Sequence, residues 1–226
     1  MNMRRLLDLV ISGLAILVMI PLLLPVFLLL RITGEREVFF SQERIGKSGF
    51  LFSLHKFATM LKDSPNIGSG TLTVQNDPRI LPLGKFLRKT KINELPQLFN
   101  VFKGDMSIVG PRPQSPRNFS AFSEDVQKNI MLVSPGLTGL GSIFFSDEEE
   151  MLTSAINQDK FYDSVIMPYK GKLETWYVNN RTILIDLKIV YITALKIIFP
   201  KLNINLSKFF DGIPNPPKEL QKYQGS

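Results

Sequence analysis

Residues 6–30 read LLDLVISGLAILVMIPLLLPVFLLL, an almost wholly apolar run broken by Asp8, Ser12 and Gly13 near its start and by Pro21 and Pro25 in its second half. As a straight helix at about 1.5 Å per residue it reaches roughly 37 Å, enough to cross a hydrocarbon core. Three paths compete: a cleaved signal peptide, a simple spanning helix, and a re-entrant helix that breaks and returns. No small-residue cleavage site follows the run, which passes into Arg31 and then Val38-Phe39-Phe40-Ser41-Gln42, so the segment is expected to stay attached. Arg4 and Arg5 precede it, and Arg31, Arg36, Arg44 and Lys47 follow, so the positive-inside bias does not favour opposite sides for its two ends. Pro21 removes a backbone donor and clashes with the preceding turn, which makes a bend natural there, and Pro25 can extend it. Spanning helices also tolerate Pro, so the residues by themselves leave crossing and turning back both open.

The chain of 226 residues is long enough for one domain with a sizeable core beside such an anchor. Lys and Arg total 27 against 20 Asp and Glu, a formal charge of +7. The sequence pI near 9.6 points to anionic partners: phosphates and acidic membrane lipids. Nucleic acid is not expected, because no recognition helix or aromatic RNA motif accompanies the charge. With no Cys and one His, His55, neither a disulfide framework nor a Cys/His zinc site can form; any metal must be a hard cation held by oxygen.

Downstream, Val38 to Gln42 and Gly49 to Phe57 read as the strands of a hairpin around Gly46-Lys47-Ser48-Gly49, with His55 an ordinary packed or surface side chain upon it. Asn66 to Gly70 reads as a loop and Leu83 to Lys89 as a short basic helix. Leu95, Leu98, Phe99 and Phe102 follow at the spacing of one buried helical face, with Asn93 as the expected N-cap and Lys103-Gly104 as the stop. Ser146 to Tyr177 is charged and partly helical. Arg181 to Phe199 predicts an amphipathic helix, flanked by Lys188 and Lys201, that can lie in the membrane interface or pack on the domain. The tail from Pro200, with Pro214, Pro216 and Pro217, is expected to be loosely ordered.

Chemistry concentrates in Arg88-Lys89-Thr90-Lys91-Ile92-Asn93-Glu94-Leu95-Pro96-Gln97 and in Gly104 to Pro113, where cations and a carboxylate meet a helix N-terminus. Such a terminus can bind phosphate, with Arg88, Lys91 and Arg112 supplying charge. The plainer alternative is a capped helix whose Glu94 offsets the dipole and whose Pro96 fills the first turn.

The run Asn93-Glu94-Leu95-Pro96-Gln97-Leu98, then Asn100-Val101, Gly104-Asp105-Met106-Ser107 and Val109-Gly110-Pro111-Arg112-Pro113, closely resembles the bacterial sugar transferase family, the monotopic phosphoglycosyl transferases. Asp8 with Pro21, Gln42-Glu43-Arg44-Ile45-Gly46, Lys56-Phe57, Thr59-Met60, Asp77-Pro78-Arg79 and Pro135-Gly136-Leu137-Thr138-Gly139 agree, so the resemblance covers about residues 3 to 199. It implies transfer of a phospho-sugar from a nucleoside diphosphate sugar, usually a UDP-sugar, to polyprenol (undecaprenyl) phosphate, with release of the nucleoside monophosphate. That is the initiating membrane step of a bacterial glycan pathway.

The resemblance further implies an Asp-Glu dyad with Mg²⁺, the Asp attacking phosphorus to give a covalent phospho-sugar intermediate. Here the dyad reads Asn93-Glu94, and a carboxamide is a neutral, poor nucleophile and a weaker metal ligand. Glu94 as nucleophile, Asn93 positioning substrate for direct transfer, a catalytically silent scaffold that still binds substrate, and an Asp-to-Asn change all stay open. Ala58 stands where the family commonly has Arg, Gly141-Ser142 where Gln-Val types are common, and Ile20 where Ser precedes the helix-breaking Pro.

The expected architecture is a small helix-rich α/β (α+β) domain with a re-entrant anchor over 1–35, a sugar transferase domain over 36–199 and a tail over 200–226. Interfacial amphipathic helices hold it on the cytoplasmic face of the bacterial inner membrane, and assembly as a homodimer is compatible with it. The resemblance raises the re-entrant path above the spanning one. Expected roles are Glu94 as nucleophile or metal ligand, Asn93 beside it as orienting residue and metal ligand, Lys56 as the basic active-site residue, and Arg79, Arg88, Lys91, Gln97 and Arg112 as substrate contacts. Asp105 is expected to be structural.

Overall fold

The computed structural model describes residues 2–67, 73, 76–200 and 202–223. Of the sequence-based expectations, the Gly68-Ser69-Gly70 part of the loop, Lys201 and the last three residues of the tail lie outside the described residues. The chain divides into two compact units, one of residues 1–42 and 53–104, the other of 43–52 and 105–226.

In the first unit the apolar run forms one helix, α1 (Met3–Ile32), with Asn2 as N-cap and both prolines inside it. Among the described residues it is the helix long and apolar enough to cross a membrane. Its first turns pack on a later helix: the Arg5 guanidinium donates to the carbonyls of Val101 and Phe102 at 2.6 Å each. Gly13 sits against the Phe102 ring, where an added Cβ would lie 3.4 Å away. Asp8 and Ser12 are buried, which explains polar residues in an apolar helix. Near its other end Val26 and Leu30 form a cluster with Val38, Phe57 and Leu87. Between these two grips Leu14, Leu17, Val18, Ile20, Leu22 and Leu24 are exposed.

Strands β1 (Phe39–Ile45) and β2 (Leu51–Phe57) pair in a two-stranded sheet, as the hairpin pattern predicts. The turn between them uses left-handed backbone at Ser48 and Gly49. Helix α2 (Pro82–Lys89) begins on a proline, which costs nothing at a first turn, and its Gly84 lies so close to the Thr59 carbonyl that a Cβ would sit 2.1 Å from that oxygen. A 3₁₀ turn over Ile92–Glu94 leads to α3 (Gln97–Lys103). Gly104 closes α3 in the left-handed conformation, as expected.

Two expectations fail here. Asn93 does not cap α3: Lys91 adopts a left-handed conformation that starts the 3₁₀ turn, Asn93 lies inside that turn, and Pro96 takes the N-cap position with no side-chain bond. Phe99 and Phe102 are about half exposed; the buried face of α3 is instead Gln97, Leu98, Asn100 and Val101. Periodicity marks an apolar face but does not say whether protein or another apolar medium covers it.

In the second unit β3 (Ser107–Val109) pairs in parallel with β4 (Gly136–Thr138), in the register Ser107 to Gly136 and Val109 to Thr138. Helices α4 (Pro116–Ser120) and α5 (Glu124–Ile130) lie between these strands in sequence. After β4 come α6 (Leu140–Phe144), α7 (Glu148–Thr153), α8 (Gln158–Phe161), α9 (Met167–Asn180) and α10 (Ile183–Ile198). A wide π turn over Tyr162–Ile166 runs into α9 just ahead of Pro168, whose missing N–H removes one bond of a regular helical ladder. Ile189 and Ile192 bury one face of α10 while Leu184, Leu187, Tyr191 and Ile198 are exposed, the amphipathic pattern expected of this segment.

The tail departs from expectation by packing onto the second unit. Leu206, Phe210, Ile213 and Leu220 are buried, Trp176 meets Phe210 edge-on, and the Tyr169 hydroxyl donates to the Pro214 carbonyl. Its apolar residues are irregularly spaced and its regular elements are short 3₁₀ turns, Leu206–Lys208 and Lys218–Tyr223, so no periodicity announces the burial.

Candidate functional site

The first unit brings together Lys56 and Glu94, 38 positions apart in sequence. Lys56 ends up near the close of β2 and Glu94 at the end of the 3₁₀ turn, with Nζ 3.6 Å from Oε1. Both side chains stay about one fifth exposed, at 21% and 19%, so the pair is sheltered yet open to a ligand. An ionised carboxylate at this place can attack phosphorus or bind a metal. Asn93, next to it, is buried to 6% exposure, and its Oδ1 has no hydrogen-bond partner. A buried carbonyl oxygen without a donor carries a desolvation cost that a ligand or cation would relieve.

Around this pair Gln97 is buried on the first turn of α3, and Lys91 is exposed at the left-handed entry to the 3₁₀ turn. Arg88 lies in the last turn of α2 with Nη1 4.0 Å from the Met60 sulfur. Gly84 lets α2 lie against Thr59, two residues beyond the end of β2, and so fixes where that last turn falls. His55 is packed as expected: its Nδ1 is 2.9 Å from the Ser41 hydroxyl and its backbone N–H donates to Asn100 Oδ1.

Arg79 has a different situation. It is 3% exposed; its Nε and Nη2 donate to the Asp77 carboxylate, and its Nη1 donates to the carbonyls of Ser64 and Ile67. The Asp77 carboxylate bonded to it outweighs burial and holds its pKa above the ordinary value. This geometry is that of a clamp between two loops, and the expectation of Arg79 as a substrate contact gives way to a bracing role.

Arg112 belongs to the second unit, where it is part-buried with Nη1 3.5 Å from the Ser142 hydroxyl and its backbone N–H directed to Glu174 Oε1 at 3.2 Å. Glu174 is 1% exposed, and burial lifts its pKa to about 7 against the smaller opposing effects of the Arg112 N–H, Lys170 and the Arg112 charge. One helical turn earlier Lys170, 2% exposed, binds Glu148 Oε2 at 2.5 Å; burial is the largest effect and opposes its charge, but Glu148 and Tyr162 together outweigh it and raise its pKa. Burial likewise raises the Tyr162 phenol beside it. Reading the segment 146–177 as merely charged misses this cluster. Its signal in the sequence is Lys170, Glu174 and Tyr177 recurring at helical spacing, one polar stripe on a helix that also buries Leu173.

Oxygen donors for a hard cation are thus the Glu94 carboxylate and the orphaned Asn93 Oδ1. No group of three His, Cys, Asp or Glu able to hold a metal occurs among the described residues. Two protein oxygens fit Mg²⁺, which keeps several waters and takes phosphate oxygens from its substrate.

The profile of the Bacterial sugar transferase family matches residues 1–200. The chain belongs to this family. It is 34% identical over 206 residues to the galactosyl transferase CpsE of Streptococcus agalactiae, covering 86% of this chain and 42% of that protein. It is 32% identical over 207 residues to the undecaprenyl-phosphate galactose phosphotransferase of Salmonella typhimurium, covering 85% and 40%. An uncharacterized sugar transferase of Bacillus subtilis, EpsL, matches at 33% over 198 residues, covering 88% of each chain. The chain therefore spans about two fifths of the length of the first two relatives and most of the length of the third.

Proposed function

We propose that this protein transfers a sugar 1-phosphate from a UDP-sugar to undecaprenyl phosphate in the cytoplasmic membrane, releasing UMP. The observation that carries the reading is the sheltered Lys56–Glu94 pair beside the orphaned Asn93 Oδ1, on a unit that also holds the apolar helix α1. Family membership and the likeness to the undecaprenyl-phosphate galactose phosphotransferase of Salmonella typhimurium support it.

In this reading Glu94 is the nucleophile. Its carboxylate forms a bond to the sugar-bearing phosphorus while the bond from that phosphorus to the UMP oxygen breaks, the electron pair leaving with UMP. An oxygen of undecaprenyl phosphate then attacks the same phosphorus, and the Glu94 carboxylate departs unchanged. Lys56 offsets negative charge as the phosphoryl group passes. The Asn93 amide orients a phosphate oxygen. Arg88, Lys91 and Gln97 are the phosphate and donor contacts of this unit. Glu94 and Asn93 Oδ1 would hold Mg²⁺, which when bound neutralises diphosphate charge.

α1 runs as one helix through Pro21 and Pro25, without the expected break, so the re-entrant path is argued from the contacts at its two ends. The polar unit grips the helix at Arg5 and Gly13 and again at Val26 and Leu30, leaving the midsection around Pro21 exposed. A helix held at both ends by the unit that carries Lys56 and Glu94 keeps those ends at one membrane face, with the midsection in lipid. The exposed face of α3 is then interfacial.

UMP release from a panel of UDP-sugars with undecaprenyl phosphate tests the activity. Turnover that disappears in Glu94→Gln supports the enzyme. Absence of turnover with every donor favours the second reading, a substrate-binding scaffold, for which the specific observation is Asn93 in place of the family's Asp. Cysteines placed at Asn2 and Thr33 test the path of α1: labelling from opposite faces of the membrane rules out the re-entrant path.

A further inference from the structure

Lys56 and Glu94 reach each other from different elements of the first unit, so their 3.6 Å separation depends on how β2 lies along the segment 92–103. Burial of apolar side chains holds such elements together, but it is non-directional and leaves one free to slide along the other. A slip of one strand residue is about 3.3 Å, nearly the length of the ion pair. Hydrogen bonds tolerate only narrow ranges of distance and angle, so they are what can set the register.

Asn100 supplies them. It lies in the middle of α3, 1% exposed, and its carboxamide meets the backbone of β2 at two points. Its Nδ2 donates to the Ser53 carbonyl at 2.8 Å, and its Oδ1 accepts the His55 N–H at 3.2 Å. Backbone groups two residues apart point to the same edge of a strand, so the side chain does for β2 what a peptide of a neighbouring strand would do. One of these bonds falls on the residue immediately before Lys56. On the other side, Glu94 and Asn100 belong to a continuous helical stretch: the Leu95 N–H donates to the Ile92 carbonyl, Leu98 to Leu95 and Phe99 to Pro96. The six-residue step between them spans about 10 Å of helix, a short and stiff lever. Its far end is held as well, by the Arg5 guanidinium on the carbonyls of Val101 and Phe102.

We propose that Asn100 is a positioning residue: its two bonds to β2 set the register that brings Lys56 against Glu94. The inference rests on the transfer reading given above, in which this pair does the chemistry. Arg88 and Lys91, the donor's phosphate contacts, lie on α2 and the turn after it, so loss of the Asn100 bonds should slow the chemical step more than it weakens donor binding.

The test uses the full chain in detergent and two readouts. One is UMP release from UDP-sugars with undecaprenyl phosphate; the other is the rate at which N-hydroxysuccinimidyl acetate acetylates Lys56, followed by mass spectrometry. Asn100→Ala is expected to lower kcat about tenfold while KM stays within about twofold of the parent. It should also raise Lys56 acetylation about threefold and leave that of the exposed Lys85 unchanged. Combined with Lys56→Met, Asn100→Ala should cost no more than about twofold beyond Lys56→Met alone. Thermal melting shows which variants are folded. Where Asn100→Ala is not, Asn100→Asp takes its place, since it keeps an acceptor for the His55 N–H and loses the donor to Ser53; about threefold effects in the same directions are then expected. Factors that multiply in the double variant mark an Asn that merely satisfies a strand edge and overturn the proposal, as does unchanged Lys56 acetylation in a folded variant. A parent that releases no UMP from any UDP-sugar removes the transfer reading, and acetylation then decides by itself whether Asn100 holds Lys56 to Glu94.

Discussion

Replacing Glu174 by Gln should change how the stability of the second unit depends on pH. Burial lifts the Glu174 pKa from an ordinary 4.5 to about 7. Between those values the folded chain holds a proton that the unfolded chain has released, so this group's contribution is fully present below pH 4.5 and is lost as pH rises through 7. A displacement of that size is worth about 3 kcal/mol, the cost of ionising the carboxylate in its buried site. At roughly 2–4 °C per kcal/mol for a chain of this length, the melting temperature of the parent should fall by roughly 10 °C more than that of Glu174→Gln between pH 4.5 and 8. Trp176 is two residues from Glu174 on α9 and is the only tryptophan in the chain, so its intrinsic fluorescence follows this unit through a thermal ramp. Parallel melting curves for parent and Glu174→Gln across that range would refute the assignment of a buried, proton-holding carboxylate. A wider gap at low pH than at high pH would invert the sign and refute it as well.

Gly84→Ala should destabilise the first unit by roughly 2–4 kcal/mol, because a Cβ placed 2.1 Å from the Thr59 carbonyl oxygen forces α2 away from the strand end; unchanged resistance to denaturant would contradict the close approach. Asp77→Ala leaves the buried Arg79 guanidinium without its carboxylate and should cost about 3 kcal/mol or more, whereas an effect confined to UDP affinity, with stability unaltered, would return Arg79 to the substrate site. Lys56→Met should lower UMP release by about 10²-fold or more without unfolding the chain, since the pair it forms with Glu94 is one-fifth exposed; an unaffected rate would remove Lys56 from the chemistry.

The elements marked by a single dominant signal were legible in the sequence. The hairpin, the short basic helix ending at Lys89 and the stop at Gly104 each rest on local chemistry: strand-forming runs around a turn, basic and apolar residues close together, and a left-handed glycine. What periodicity left undetermined was the medium facing each apolar stripe. Phe99 and Phe102 have the spacing of a core face yet are exposed, beside an α1 whose midsection is exposed too. The tail shows the converse, because Leu206, Phe210, Ile213 and Leu220 follow no period and are buried by contacts distant in sequence. The short parallel pair of β3 and β4 has three residues per strand, too few for alternation to register.

The site divides along the same line between local and distant information. Asn93 and Glu94 stand out as adjacent residues in a dense motif, but the sequence assigned Asn93 a cap because a cap is what an Asn ahead of a helical face ordinarily provides. The structure removes that explanation: Asn93 lies inside a 3₁₀ turn and its Oδ1 is buried with no donor. An Asn kept for folding would use its oxygen, so the residue is better understood through what binds there, and Asn93→Asp separates the two accounts of that ligand. If Asn93 supplies a neutral oxygen and Glu94 the nucleophile, Asn93→Asp places a second buried carboxylate beside the first, raises the proton affinity of the pair and slows UMP release near neutral pH. If Asn93 is an impaired remnant of an Asp nucleophile, the same change raises the rate by orders of magnitude, and Glu94→Gln in the Asn93→Asp background then costs far less than it does in the parent.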